Sequence, residues 1–117
     1  MIFRRATLDD AEKMAPAMIG GYSVEDNEEA IPVLRKELSE KIYIVAEEDG
    51  RIAGFVAWAV RDLPRHTCAE LCKISVLPDY RGRGIAPKLF EEMMNDINQF
   101  YESHSLKLRK LFLLVHS

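Results

Sequence analysis

Residues 71–86 read Leu71-Cys72-Lys73-Ile74-Ser75-Val76-Leu77-Pro78-Asp79-Tyr80-Arg81-Gly82-Arg83-Gly84-Ile85-Ala86, and their types can grip an anion. An apolar strand runs into a turn set by Pro78-Asp79, and a loop punctuated by Gly82 and Gly84 opens a helix. Glycine lets the backbone approach a ligand closely, and the first N–H groups of a helix have no partner inside it. A strand that feeds a helix through glycines is therefore a phosphate cradle. Arg81 and Arg83 add two charges, which favours a phosphorylated ligand over a tight connection that binds nothing. The loop lacks the Gly-Lys-Ser/Thr of a P-loop, and Pro87 stands where a dinucleotide fingerprint needs its third glycine.

The chain that must position this loop has 117 residues, enough for one domain with one core over 1–117. Its net charge of −3 argues against a nucleic-acid partner. Met1-Ile2-Phe3-Arg4-Arg5 lacks the apolar run of a signal peptide, and no apolar stretch is long enough to span a membrane. Cys68 and Cys72 share one predicted strand, where they stand roughly 13 Å apart, too far for a disulfide. With no further cysteine a metal site is not expected, and a reducing, cytoplasmic compartment fits best.

The elements follow from periodicity and breakers. Ile2 to Ala6 is a short strand, and Thr7 with Asp10 forms a capping box in which Asp replaces Glu. The helix that follows presents Leu8, Ala11, Ala15, Met18 and Ile19, and Pro16 should kink or end it. After Gly20-Gly21 and the acidic run Glu25-Asp26-Asn27-Glu28-Glu29, a second helix carries Ile31, Leu34 and Leu38, with Pro32 in its first turn. Lys41 to Glu47 and Ile52 to Val60 are strands joined by an Asp49-Gly50 hairpin turn, and Trp58 is core. Cys68 to Val76 is the strand before the cradle. Ile85, Leu89, Met93, Ile97 and Tyr101 mark one helical face, with Pro87 in the first turn. Leu111 to Val115 is an apolar run that reads as a strand buried on both faces. The fold class is α/β with a mixed sheet, in the order β-α-α-β-β-β-α-β.

Arg81-Gly82-Arg83-Gly84-Ile85-Ala86 fits the pattern Arg/Gln-x-x-Gly-x-Gly/Ala, and with its strand and helix it resembles the acyl-CoA pyrophosphate loop of the GNAT superfamily of N-acetyltransferases. The element order is similar to that fold through its fifth strand. A usual member continues with a fourth helix and two more strands, so the resemblance implies a member that is incomplete, or short, at its C-terminus. The apolar last strand would leave an edge, which keeps a homodimer through that strand open.

The resemblance implies acetyl-CoA as co-substrate, no metal, and a small-molecule or protein amine as acceptor. The backbone of Ile74, Ser75 and Val76 would lie along the pantetheine arm. The amides from Arg81 to Ala86, with the Arg81 and Arg83 side chains, would hold the pyrophosphate. The last two strands would splay and free an N–H to polarise the thioester. An amine is protonated at neutral pH and needs a base, and the resemblance points to Glu70. Strand parity puts Glu70 on the face of Cys72, Ile74 and Val76, where apolar surroundings would raise its pKa. A carboxylate pointing into solvent at the strand's start is the alternative. His66, in the preceding loop, is a rival base. The family's usual acid is a tyrosine on the fourth helix, and Tyr22, Tyr43, Tyr80 and Tyr101 do not match its position. The acidic run would favour a cationic acceptor, or stand solvated at a helix start. Lys107-Leu108-Arg109-Lys110 reads as a solvated cluster.

Two functions remain open at this level: an acetyl-CoA-dependent N-acetyltransferase, and a catalytically weak acyl-CoA-binding or regulatory module. Thiol release from acetyl-CoA in the presence of amines separates them. A nucleotide binder, displaced by ATP but not by CoA, is a third.

Overall fold

The computed structural model describes residues 1–19, 27–61 and 67–113. The elements run β1 (Ile2–Arg5), a 3-10 turn (Leu8–Asp10), α1 (Ala11–Met18), α2 (Asn27–Glu40), β2 (Ile42–Glu48), β3 (Arg51–Arg61), β4 (Cys68–Val76), a second 3-10 turn (Pro78–Tyr80), α3 (Ile85–Ser103) and β5 (Lys110–Leu113). The strands form one sheet in the order β1-β2-β3-β4-β5. The first three pairings are antiparallel, and β4 and β5 are parallel.

The middle of the sheet is covered on both faces, which explains the near-continuous apolar run of β3. On one face Tyr43, Val45, Phe55 and Ala57 pack with Met14, Met18 and Leu34 of α1 and α2. On the other, Ile44, Val56, Trp58 and Leu71 pack with Leu89, Met93, Ile97 and Tyr101 of α3. The helical face expected for α3 is the one buried. Burying a full aliphatic or aromatic side chain stabilises a fold by about 2 kcal/mol, so this two-sided core holds β4 and α3 in place. Polar pins assist. Trp58 Nε1 donates to Asp96 at 2.9 Å, and Tyr101 Oη donates to the Cys68 carbonyl at 2.9 Å. The latter ties the end of α3 to the start of β4, so the helix N-terminus lies beyond the other end of that strand.

The β2–β3 turn is as expected: Asp49 and Gly50 both have positive φ (52° and 78°), the conformation of a type I′ hairpin. The capping box also forms, with the Thr7 amide donating to Asp10 at 2.7 Å. Arg4 grips the same carboxylate at 2.8 and 2.9 Å and holds Asp10 down to about 2. A carboxyl depressed on folding adds stability above its unfolded value, and that stability fades as pH falls toward 2. Asp10→Asn should therefore cost on the order of 1–2 kcal/mol at neutral pH, allowing for the partly exposed Arg4. Urea midpoints of variant and wild type should converge on acidification; a gap undiminished at pH 2 would contradict this.

Several expectations need correction. Leu8 does not join the buried face: it is 57% exposed in the 3-10 turn, and Ile19, just past α1, is also exposed. Met14 and Ala17 are buried instead. Pro16 does not break α1 at once; the helix ends at Met18. Pro32 is not in the first turn, because α2 begins at Asn27. The ring removes a bond to the Glu28 carbonyl, and fully buried Ala30 and Leu34 on either side hold the helix across that gap. Leu111 and Phe112 are half-buried rather than buried on both faces, because β5 pairs with β4 alone among the described residues.

The correction that matters most concerns β4. Its pairing with β3 passes from Lys73↔Ala57 to Leu71↔Trp58, so Cys72 is an extra residue in a β-bulge. A bulge reverses strand parity. Ala69, Leu71, Ile74 and Val76 face α3, whereas Cys72 packs with α1 and α2. Glu70 thus shares its face with Cys72, as expected, but not with Ile74 and Val76.

Candidate functional site

Leu77 closes β4 as a buried plug, its amide donating to the Ala53 carbonyl at 2.8 Å. The 3-10 turn then lifts the chain off the sheet, and the loop turns back through Gly82 and Gly84, at φ 80° and 75°. Both glycines hold left-handed backbone that side chains disfavour, and Gly84 is the N-cap of α3. The Lys88 amide donates to the Gly84 carbonyl at 3.3 Å, so the amides of Ile85 and Ala86 precede the first helical bond. Beside them lies an open cavity of about 330 Å³, lined by Val76, Tyr80, Arg81, Gly82, Gly84, Ile85, Ala86 and Pro87. It has what an anion needs: helix N-terminal amides, the positive end of a 19-residue helix, and an arginine. A wider hollow of about 620 Å³, lined by Leu8, Asp9, Glu12, Arg35 and Ser39, has neither a glycine loop nor the start of a long helix.

The two arginines diverge. Arg81 lines the cavity, with Nε donating to the Val76 carbonyl at 3.3 Å. Arg83 turns toward the β2–β3 hairpin, where it pairs with Glu48 at 3.4 Å and lies 5.2 Å from the centre of the Tyr80 ring. Arg51 approaches the same ring at 5.3 Å and pairs with Asp79 at 2.9 Å. The Asp79 carboxyl is held below its ordinary range by its own amide and by Arg51. The hairpin therefore clamps the loop through Asp79, Tyr80 and Arg83.

Gly54 is a positioning residue that the sequence reading missed. A Cβ there would meet the Ser75 carbonyl at 2.6 Å and Val76 Cα at 3.2 Å, so β3 and β4 pack this closely because the side chain is absent. A lone glycine in an apolar strand was the available signal. Gly54→Ala should push apart the strand ends that carry the cradle, at a cost of about 1–3 kcal/mol. An unfolding midpoint equal to wild type would contradict this.

Glu70 is half-buried, paired across the sheet with Ala59 and Phe112, and faces α1 and α2. Its Oε2 lies 4.0 Å from the Cys72 sulfur. Nearby, Glu37 of α2 takes ion pairs from Lys73 Nζ at 2.9 Å and Lys41 Nζ at 3.0 Å. Burial pulls the Glu37 carboxyl up, but the two ammonium groups outweigh it and leave it below its ordinary value. Burial pushes the Cys72 thiol up, so it stays protonated and unreactive at neutral pH. Ser75 donates its hydroxyl to the Ala17 carbonyl at the end of α1, so only its backbone is offered to a ligand. The cradle and Glu70 thus lie on opposite faces of β4, separated along the strand.

His66, Tyr22, Glu25, Asp26 and the chain after Leu113, where the splay of the last strands was expected, lie outside the described residues. Of the remaining tyrosines, Tyr43 and Tyr101 are buried and Tyr80 sits at the cradle. Lys107, Arg109 and Lys110 are exposed, as expected. Among the described residues no His/Cys/Asp/Glu group could hold a metal, and no helix is long and apolar enough to cross a membrane.

A family model described as "Acetyltransferase (GNAT) family" matches residues 8–115. No curated protein matches the chain. Among solved structures, the chain is similar to a ribosomal-protein-alanine N-acetyltransferase from Brucella melitensis biovar Abortus 2308. That match has a TM-score of 0.72 and 25% identity, and covers 98% of this chain and 79% of the other. A possible acetyltransferase from Clostridium difficile 630 superposes with a TM-score of 0.75 at 16% identity, covering 99% and 80%. The glucosamine-6-phosphate N-acetyltransferase of Arabidopsis thaliana gives 0.69 at 18%, covering 98% and 82%. At those lower identities the likeness is one of fold. The match over nearly the whole sequence, on a chain with this strand–loop–helix cradle, places the protein in the GNAT acetyltransferase family.

Proposed function

We propose that the chain transfers the acetyl group of acetyl-CoA to a primary amine by direct attack. The observation that carries this reading is the cradle, where two left-handed glycines and the first amides of a long helix surround an open cavity. The amides from Arg81 to Ala86, with the Arg81 guanidinium, bind the pyrophosphate. The half-buried backbone of Ile74, Ser75 and Val76 lies along the pantetheine arm. Arg83 reaches a phosphate oxygen by leaving Glu48, an exchange of one exposed ion pair for a doubly charged partner.

Glu70 takes a proton from the acceptor ammonium. The amine nitrogen then bonds to the thioester carbon, the C–S bond breaks, the nitrogen gives up its second proton to water as it becomes a neutral amide, and CoA leaves as a thiolate that takes a proton from water. Placement of Glu70 and the cradle on opposite faces of β4 supports this division of labour, because acceptor and thioester then approach the strand from different sides. The Brucella relative bears the name of a ribosomal-protein-alanine N-acetyltransferase, which supports an amine as acceptor.

The test is continuous detection of free thiol from acetyl-CoA with a panel of primary amines. Amine-dependent release supports an enzyme. Saturable CoA binding with no release from any amine would instead assign a CoA-binding module.

A further inference from the structure

Tyr80 stands between the cradle and the hairpin. Its ring lines the cavity, and the Arg83 guanidinium lies 5.2 Å from the ring centre. Gly82 and Gly84, on either side of Arg83, line the same cavity, whereas Arg83 itself does not. Its side chain leaves the cradle and pairs with Glu48 at the end of β2. The backbone of Arg83 is thus at the ligand site while its charge rests beside the aromatic wall, held there by the ring and by one carboxylate.

Two guanidinium groups share this ring, and the hairpin holds them unequally. Arg51 lies 5.3 Å from the ring centre and donates to Asp79 at 2.9 Å, the length of a good charge-assisted hydrogen bond. Arg83 reaches Glu48 at only 3.4 Å, and these side chains are 53% and 33% exposed. An exposed, long ion pair is weak and is screened by salt. The neighbouring Glu47 is engaged by Arg4. Arg51 is therefore the fixed member, and Arg83 is the one that can leave.

From this geometry we propose that Glu48 competes with the coenzyme for Arg83 and so limits how tightly the cradle holds it, a role that rests on the cradle being the pyrophosphate site. While Glu48 keeps the guanidinium, Arg81 is the one arginine side chain lining the cavity among the described residues. Apparent affinity falls with the fraction of molecules in which Arg83 is held elsewhere. An acid outside the cavity thus weakens binding, and its loss should strengthen it.

Calorimetric titration of CoA at one low salt concentration tests this on wild type, Glu48→Gln, Arg83→Met and the double variant. Glu48→Gln should lower Kd about two- to fivefold, the range expected of one exposed ion pair. The gain should vanish in the Arg83→Met background, where the competed group is missing. Equal tightening with and without Arg83 would reduce Glu48 to a diffuse negative field and overturn the proposal. Unchanged or weaker binding by Glu48→Gln would also overturn it, since a pair that only braces the loop gives that result. In both cases wild type still binds CoA and the cradle reading stands. A folded wild type that binds no CoA would remove that reading and this one together.

Discussion

Glu70→Gln is expected to lower kcat by about 10²–10⁴-fold, the usual worth of a positioned general base, with little change in the affinity for acetyl-CoA. The separation follows from the bulge at Cys72. Glu70 faces α1 and α2, whereas the cavity and the side chains of Ile74 and Val76 belong to the α3 side. An amide keeps the shape and much of the hydrogen bonding but cannot take the proton. The loss should be smaller for acceptors of low pKa, which arrive already neutral. Equal kcat in wild type and variant, across acceptors of different basicity, would remove Glu70 from the chemistry.

Gly84→Val is expected to weaken CoA binding by about tenfold or more. The position holds a φ of 75°, and a Cβ there meets nothing within 4 Å. The substitution therefore creates no clash in the free protein. The backbone strain of about 1–2 kcal/mol is a cost to the loop's left-handed conformation; binding weakens because the loop relaxes out of that conformation and because a side chain stands where phosphate oxygens must approach the amides. A Kd within twofold of wild type would show that the loop does not contact the coenzyme.

Much of this architecture was legible because local chemistry and tertiary context agree. Asp49-Gly50 demands a hairpin, Thr7 and Asp10 demand a cap, and the four-residue repeat from Ile85 to Tyr101 demands a buried helical face. Each appears where the residues place it. The strand–loop–helix geometry around Gly82 and Gly84 was legible for the same reason, since glycines between an apolar strand and an amphipathic helix mark a turn that needs left-handed backbone. What sequence could not give was parity. A bulge adds one residue to a ladder without any signature in that residue's type, and Cys72 reads as an ordinary strand position. That single insertion moved Ile74 and Val76 to the opposite face from Glu70 and brought Lys73 beside it. The fate of Arg83 was likewise hidden, since its partners Glu48 and Tyr80 meet it only through the fold. Gly54 was visible as a strand glycine, but its closeness to Ser75 depends on how β3 and β4 pair.

The most direct measurement is calorimetric titration of CoA onto the full chain, repeated at rising salt. Helix-terminal amides and Arg81 gripping a pyrophosphate predict saturable one-to-one binding that weakens as salt screens the arginine, and that inorganic pyrophosphate displaces. Absence of saturation at millimolar CoA, with the protein shown folded, would contradict the account at its root.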